Sequence, residues 1–263
     1  MKPNLEISTV VGCRMQCDYC PQRIHVLNYT KKWYNTRMRL EDFKTMLSTV
    51  PKEVEIVFAG MAEPWLNPEC SQMVEYAHEQ GYKIGVYTTT SGMRYQDVIM
   101  IHDIPFLYFT LHLPDADGLM HIHVDEKYLK ILSKVVEVID CQFMVIGKLH
   151  PLVEEITGPV EDHSKGLLSR AGNIKTLAIN KKSGPLQCSA CGPKIDHNVL
   201  LPSGEVLLCC MDYSQEHVIG NLLEQSYESL FQSPEYLRVM EGLKTDSNII
   251  CRKCELSENI PAL

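Results

Sequence analysis

Apolar residues follow two alternating rhythms along the first two-thirds of the chain. Short apolar runs at residues 5–11, 54–59, 83–87, 106–111, 142–146 and 175–179 have the length and composition of buried strands. Between them, residues 40–50, 68–80, 94–101 and 126–139 repeat apolar positions every three or four residues, as amphipathic helices do. This alternation predicts an α/β fold with a parallel sheet and helices outside. Six strands fall two short of a closed eight-stranded barrel, so a partial, (β/α)6-type TIM barrel is expected over residues 1–182. No apolar run reaches the roughly 18 residues that a membrane span needs.

Beyond residue 182 the pattern changes. Residues 199–208 are two apolar runs around Pro202-Ser203-Gly204, which predicts a β-hairpin. Residues 226–240 predict a helix capped by Ser226 or Ser229. The segment 183–263 is too small for a generous core, yet it carries six of the 11 cysteines, so metal is expected to hold it together.

Charge narrows the partners. With 25 Lys+Arg against 33 Asp+Glu the chain carries −8, without the basic surplus that nucleic-acid binders use to neutralise phosphates. Met1, Lys2, Pro3 and Asn4 lead into the first strand without the apolar core of a signal peptide. A soluble cytoplasmic protein that binds neither nucleic acid nor membrane is expected.

An odd count of 11 cysteines with no export signal points to metal rather than disulfides. Cys13, Cys17 and Cys20 form C-x3-C-x2-C directly after the first strand, where a loop faces the ligand crevice of a parallel sheet. Three thiolates on one loop can hold three irons of a 4Fe-4S cluster and leave the fourth open to a small molecule. The alternatives are a buried trio of apolar thiols, or zinc with His25 as fourth ligand at an atypical spacing. In the second group, Cys188, Cys191, Cys251 and Cys254 could form a zinc ribbon, but its second gap is long and Cys209 would be unexplained. Cys70 and Cys141 are expected to be core thiols. The pair His121 and His123 suits surface or core polarity better than metal binding.

The first cysteine motif, with aromatic Tyr19 before its third Cys, resembles that of the radical S-adenosylmethionine superfamily. The resemblance implies S-adenosylmethionine on the open iron and a radical that abstracts hydrogen from an unactivated carbon. Gly60-Met61-Ala62-Glu63-Pro64 resembles the family's Gly-Gly-Glu segment, with Ala62 in place of the second Gly and Glu63 implied to meet the cofactor's ammonium group. Thr88 and Thr89 stand where the family often has Thr-Asn-Gly, and Thr110 and His112 end the fourth strand, where it commonly places a hydroxyl near the ribose.

Cys191-x12-Gly204-x4-Cys209, followed by Cys251-x2-Cys254, is similar to the auxiliary-cluster region of the SPASM/twitch branch. That similarity implies a second 4Fe-4S cluster held by Cys191, Cys209, Cys251 and Cys254. Cys188 competes with Cys191 and Cys210 with Cys209. The layout is most similar to the 2-deoxy-scyllo-inosamine dehydrogenase type, which oxidises an aminocyclitol. Leu168-Ser169-Arg170-Ala171-Gly172-Asn173 resembles a segment of that type whose Arg implies a role for Arg170 in orienting a substrate hydroxyl. The expected activity is oxidation of a carbinol carbon of a small polyol, aminocyclitol or sugar-like substrate, with a flavodoxin or ferredoxin as electron donor. The alternatives are a radical epimerase with Cys210 as hydrogen donor, and a non-catalytic iron–sulfur electron carrier.

Overall fold

The computed structural model describes residues 2–177 and 179–260. Five strands, β1 (Asn4–Ile7), β2 (Glu55–Phe58), β3 (Ile84–Thr88), β4 (Tyr108–Leu113) and β5 (Gln142–Val145), pair in parallel in the order β5-β4-β3-β2-β1. Six helices accompany them: α1 (Gln22–Thr30), α2 (Leu40–Leu47), α3 (Cys70–Glu79), α4 (Tyr95–Ile101), α5 (Glu126–Val138) and α6 (Pro151–Thr157). The remainder adds β6 (Leu186–Cys188), β7 (His197–Leu200), β8 (Glu205–Leu207), β9 (Val218–Asn221), α7 (Pro234–Gly242) and β10 (Ser257–Asn259). Strand β7 pairs in parallel with the free edge of β1, and β8 and β9 follow antiparallel, so one sheet of eight strands runs through both regions. Strands β6 and β10 form a separate antiparallel pair.

Strand alternation sorts the residues. In β1, Leu5 and Ile7 are fully buried in the core, which leaves Glu6 and Ser8 on the inner face of the curved sheet. In β4, Phe109, Leu111 and Leu113 enter the same core, while Tyr108, Thr110 and His112 take the other face. The helices present matching stripes: Phe43, Met46 and Leu47 on α2, Met73, Val74 and Ala77 on α3, Leu132 and Val135 on α5. Each of these Phe, Met, Leu and Val side chains contributes about 1.5–3 kcal/mol on burial. Cys70 is fully buried among them and Cys141 packs half-buried at their margin. Among the described residues, no helix is long and apolar enough to cross a membrane.

The α/β partial barrel is as expected, with three local differences. Residues 175–179 do not form a sixth strand; Lys175–Leu177 is a single 3-10 turn, and Ala178 lies outside the described residues. The chain before it is unsuited to extension, because Arg170, Ala171 and Gly172 adopt φ of +52°, +53° and +79° in succession. The helix expected at residues 226–240 is divided into a 3-10 turn, Glu228–Gln232, and α7. Pro234 has no N–H to continue a helix, so α7 starts anew there. Its cap is therefore Ser233, whose Oγ accepts from the Tyr236 N–H at 3.2 Å, rather than Ser226 or Ser229.

Candidate active site

The carboxyl ends of β1, β2, β3 and β4 converge on one cavity of about 190 Å³. The chain leaving β1 turns at Gly12 (φ +101°) and again at Gln16 (φ +46°), which folds Cys13, Cys17 and Cys20 toward that cavity. The loop is tied by Cys20 N–H to Cys17 O and Asp18 N–H to Leu119 O, both 2.9 Å. Burial, with the neighbouring thiols of Cys20 and Cys13, pushes the Cys17 thiol up to about 12. Metal binding would have to displace these protons. Three thiols on one cavity wall fit the cluster motif. His25, by contrast, is fully buried against Gln215, whose Nε2 lies 3.1 Å from its Nδ1.

The β2 loop supplies the facing wall. Gly60 holds φ +72°, and a Cβ there would stand 2.9 Å from the Ser8 Cβ, so only glycine allows this approach. Ser8 Oγ accepts from the Met61 N–H (3.2 Å), and Gln22 Nε2 donates to the Met61 carbonyl (2.6 Å). Glu63 is buried and its carboxylate receives four donors: Trp65 N–H (3.3 Å), Thr88 Oγ1 (2.6 Å), Thr89 N–H (2.7 Å) and Thr89 Oγ1 (2.7 Å). Two oxygens with about four lone-pair sites are thereby filled. The carboxylate expected to meet an ammonium group lines the cavity and also locks the β2 and β3 loops together. Burial raises its pKa, and these donors oppose the rise.

Tyr19 lines the same cavity and its hydroxyl lies 3.2 Å from His112 Nε2, the two rings being stacked at 5.7 Å. Burial lowers the His112 pKa to about 4, so its imidazole is neutral at pH 7. Gly60, Met61, Ala62, Glu63, Thr88 and Thr89 also line the cavity. Thr110 is not brought there. It sits one inward position below His112, 3.5 Å from Gln142 Oε1 on β5.

A second, smaller cavity of about 60 Å³ is walled by the six thiols of the carboxyl-terminal region, Cys188, Cys191, Cys209, Cys210, Cys251 and Cys254. The turn at Gly204 (φ +86°) folds β8 back on β7 and so returns Cys209 and Cys210 toward Cys191. Cys209 lies near Cys251, and Cys210 lies near both Glu6 and Cys254, so both stand beside the C-x2-C pair. Cys188 hydrogen-bonds Cys191, which lowers the Cys188 pKa, so both stand at the first position. The donor set fits a four-thiolate cluster.

Two residues not singled out from the sequence, Glu6 and Tyr213, stand with the expected Arg170 along the walls of the two cavities. Glu6, on the inner face of β1, lines the thiol cavity. Burial raises its pKa, and Arg170, the Cys210 thiol and the Gly60 N–H oppose that rise. Arg170 lines the first cavity. Burial disfavours its charge, but Tyr213, Cys210, Cys20 and Glu6 outweigh this. The Tyr213 hydroxyl lies 3.9 Å from the Cys20 thiol, and its ring lies 5.9 Å from the Arg170 guanidinium carbon. The available signal for Glu6 was a lone charge between Leu5 and Ile7 in an otherwise apolar strand.

Residues 7–154 match the family model described as the radical SAM superfamily, and residues 188–255 match an iron–sulfur cluster-binding domain, SPASM. No curated protein matches the chain in sequence. Among solved structures, BtrN in complex with AdoMet and 2-DOIA is similar at 18% identity and TM-score 0.65, over 97% of this chain and 93% of that one. SuiB of Streptococcus suis bound to its precursor peptide SuiA is similar at 14% identity and TM-score 0.58, over 97% and 70%. Native anSMEcpe with bound AdoMet follows at 14% and 0.56, over 96% and 86%.

Proposed function

The chain belongs to the radical SAM superfamily, and from that premise we propose that it oxidises a carbinol carbon of a small polyol, aminocyclitol or sugar-like molecule to a ketone. S-adenosylmethionine on a cluster held by Cys13, Cys17 and Cys20 supplies hydrogen abstraction, and a second cluster held by Cys191, Cys209, Cys251 and Cys254 supplies a one-electron acceptor. The chain's own groups do the rest. Oxidation of a carbinol removes one hydrogen atom from carbon, one proton from oxygen and one electron. The observation that carries the reading is that Glu6 and Arg170 lie where the two cavities meet. Glu6 is a carboxylate with a raised pKa, suited to take the hydroxyl proton. Arg170 stays charged and is suited to hydrogen-bond the hydroxyl oxygen and lower its pKa. Tyr19 and neutral His112 form a stacked wall against which a nucleoside ring fits.

The sequence resemblance to the 2-deoxy-scyllo-inosamine dehydrogenase type and the likeness to BtrN, solved with 2-DOIA, support an aminocyclitol as the first substrate to try. A reduced flavodoxin or ferredoxin would feed the first cluster in the cytoplasm. The test is anaerobic loading followed by turnover with S-adenosylmethionine, dithionite and 2-DOIA in D2O. Formation of 5′-deoxyadenosine with a ketone and no solvent deuterium at the product carbon is expected. Loaded protein that forms no 5′-deoxyadenosine would favour an electron carrier.

One observation favours a second reading. Burial and the neighbouring Glu6 hold the Cys210 pKa far above its ordinary value, so this thiol keeps its hydrogen at pH 7 beside the junction. A protonated thiol there could donate a hydrogen atom in an epimerisation. Solvent deuterium in the product, abolished by Cys210→Ala, would put epimerisation first.

A further inference from the structure

Beside the six-thiol cavity lie two cations that the reaction above does not use. Arg252 stands between Cys251 and Cys254 and is fully buried. Its guanidinium donates to the carbonyls of Gly184 and Gly242, and its Nε–H is buried with no acceptor among the described residues. The one carboxylate near it, Asp246, is 3.9 Å away and largely exposed. Lys182 is bound to Arg252 through its backbone N–H (2.8 Å to Arg252 O). Its ammonium is ringed by neutral oxygens: the carbonyls of Cys254 (2.8 Å), Glu255 (3.4 Å) and Ser257, and the Ser257 hydroxyl (3.3 Å). Among the described residues, no carboxylate comes within ion-pair distance of Lys182.

A guanidinium does not shed its proton, and a solvated carboxylate at 3.9 Å leaves a fully buried charge under-compensated, which is unfavourable. The missing anion is supplied if the thiols beside Arg252 close an iron–sulfur cluster, since four thiolates and the sulfides outweigh the irons and leave the whole negative. Such a cluster becomes more negative still when it takes an electron. Net charge and hydrogen bonds to sulfur are what set its potential. Resting on the reading of this cavity as the auxiliary cluster site, we propose that Arg252, assisted by Lys182, is the counter-charge that raises the cluster's reduction potential and makes it an acceptor for the substrate's electron. Glu6, which lines the same cavity, acts in the other direction when it is ionised.

The test is a potentiometric titration of the anaerobically loaded holoenzyme followed by electron paramagnetic resonance. The auxiliary signal is distinguished from the first cluster by its indifference to added S-adenosylmethionine. In Arg252→Gln at wild-type iron content, the auxiliary midpoint is expected to move negative by about tenfold in the one-electron equilibrium, which is 59 mV. Arg252→Lys is expected to restore most of it, and Lys182→Gln to give a smaller shift of the same sign. An unmoved midpoint in Arg252→Gln overturns the proposal, as do equal shifts in the Gln and Lys variants, which would assign Arg252 to geometry alone. Should Arg252→Gln fail to hold its cluster, Lys182→Gln decides: an unmoved midpoint, or loss of the cluster there too, overturns the proposal. A wild-type protein that loads only the first cluster refutes the auxiliary-site reading itself, which is a separate result.

Discussion

Glu63 offers the sharpest test of how the cofactor pocket is built. Glu63→Gln keeps size and shape but exchanges one acceptor oxygen for an NH2 group. Its two oxygens each take one backbone N–H and one threonine hydroxyl, Trp65 and Thr88 on one side and Thr89 twice on the other. Whichever way the amide turns, the NH2 therefore meets one hydroxyl and one backbone N–H. The hydroxyl can rotate, but the N–H is orphaned, at a cost of roughly 1–3 kcal/mol. The two bonds that survive lose their charge assistance, roughly another 1 kcal/mol between them. Relief of charge burial returns part of this, because burial raises the Glu63 pKa. A net loss of about 2–3 kcal/mol is expected, or roughly 4–12 °C in Tm for a chain of this size. Urea and thermal denaturation of the cluster-free protein at pH 7 measure it, and S-adenosylmethionine binding to the loaded protein should weaken in parallel. A loss under about 0.5 kcal/mol would refute the four-donor account. Weakened binding with unchanged stability would instead assign Glu63 to direct contact with the cofactor alone.

Other substitutions probe separate links. Gly60→Ala imposes a left-handed residue worth about 1–2 kcal/mol and drives a Cβ to 2.9 Å from Ser8; denaturation should show it, with cofactor binding lost before the fold is. Ser233→Ala should cost about 1 kcal/mol by removing the α7 cap, readable in the urea midpoint without change in iron content. Glu6→Gln should abolish ketone formation while 5′-deoxyadenosine still forms, since it removes the proton acceptor and leaves both thiol sets intact; full ketone yield would exclude Glu6 as the base. For pH, burial lowers His25 and His112 from 6.5 to about 4. The unfolded chain then binds more protons between those values, so stability is full above pH 6.5 and falls as pH drops toward 4. Urea midpoints at pH 7.5 and 5 should differ accordingly, and His25→Gln should reduce the difference.

Legibility followed periodicity and spacing. The strands that became β2 to β5 and the helices α2 to α5 carry clean apolar rhythms, and each was found within a few residues. Helix α1 was not anticipated, because its buried residues are Gln22, His25 and Tyr29, polar or amphipathic side chains that do not mark an apolar stripe. The cysteines were readable because ligand chemistry restricts residue type and spacing. Glu6 and Tyr213 were not, because their meaning comes from β7 lying beside β1, a pairing between residues nearly two hundred positions apart. Arg252 was hidden for the same reason: nothing in a C-x2-C spacing says that the residue between is fully buried with only an exposed carboxylate near it.

That β1–β7 pairing is the feature from which the joined cavities follow. A sixth barrel strand in sequence order would have extended the β5 edge and left the edge of β1 open. Instead β7 continues the sheet in parallel register, Asn4 opposite His197 through Ile7 opposite Leu200, and the hairpin carries Cys209 and Cys210 to the inner face. Period-two alternation then places Glu6 between the two thiol sets while Leu5 and Ile7 anchor the strand in the core. A single charged residue in a buried strand carries a stability cost, from burial, that a purely structural strand would not retain. Here Arg170 and Cys210 lie close enough to oppose the rise that burial imposes on the Glu6 pKa, and that environment is what the proposed proton transfer from a substrate hydroxyl rests on.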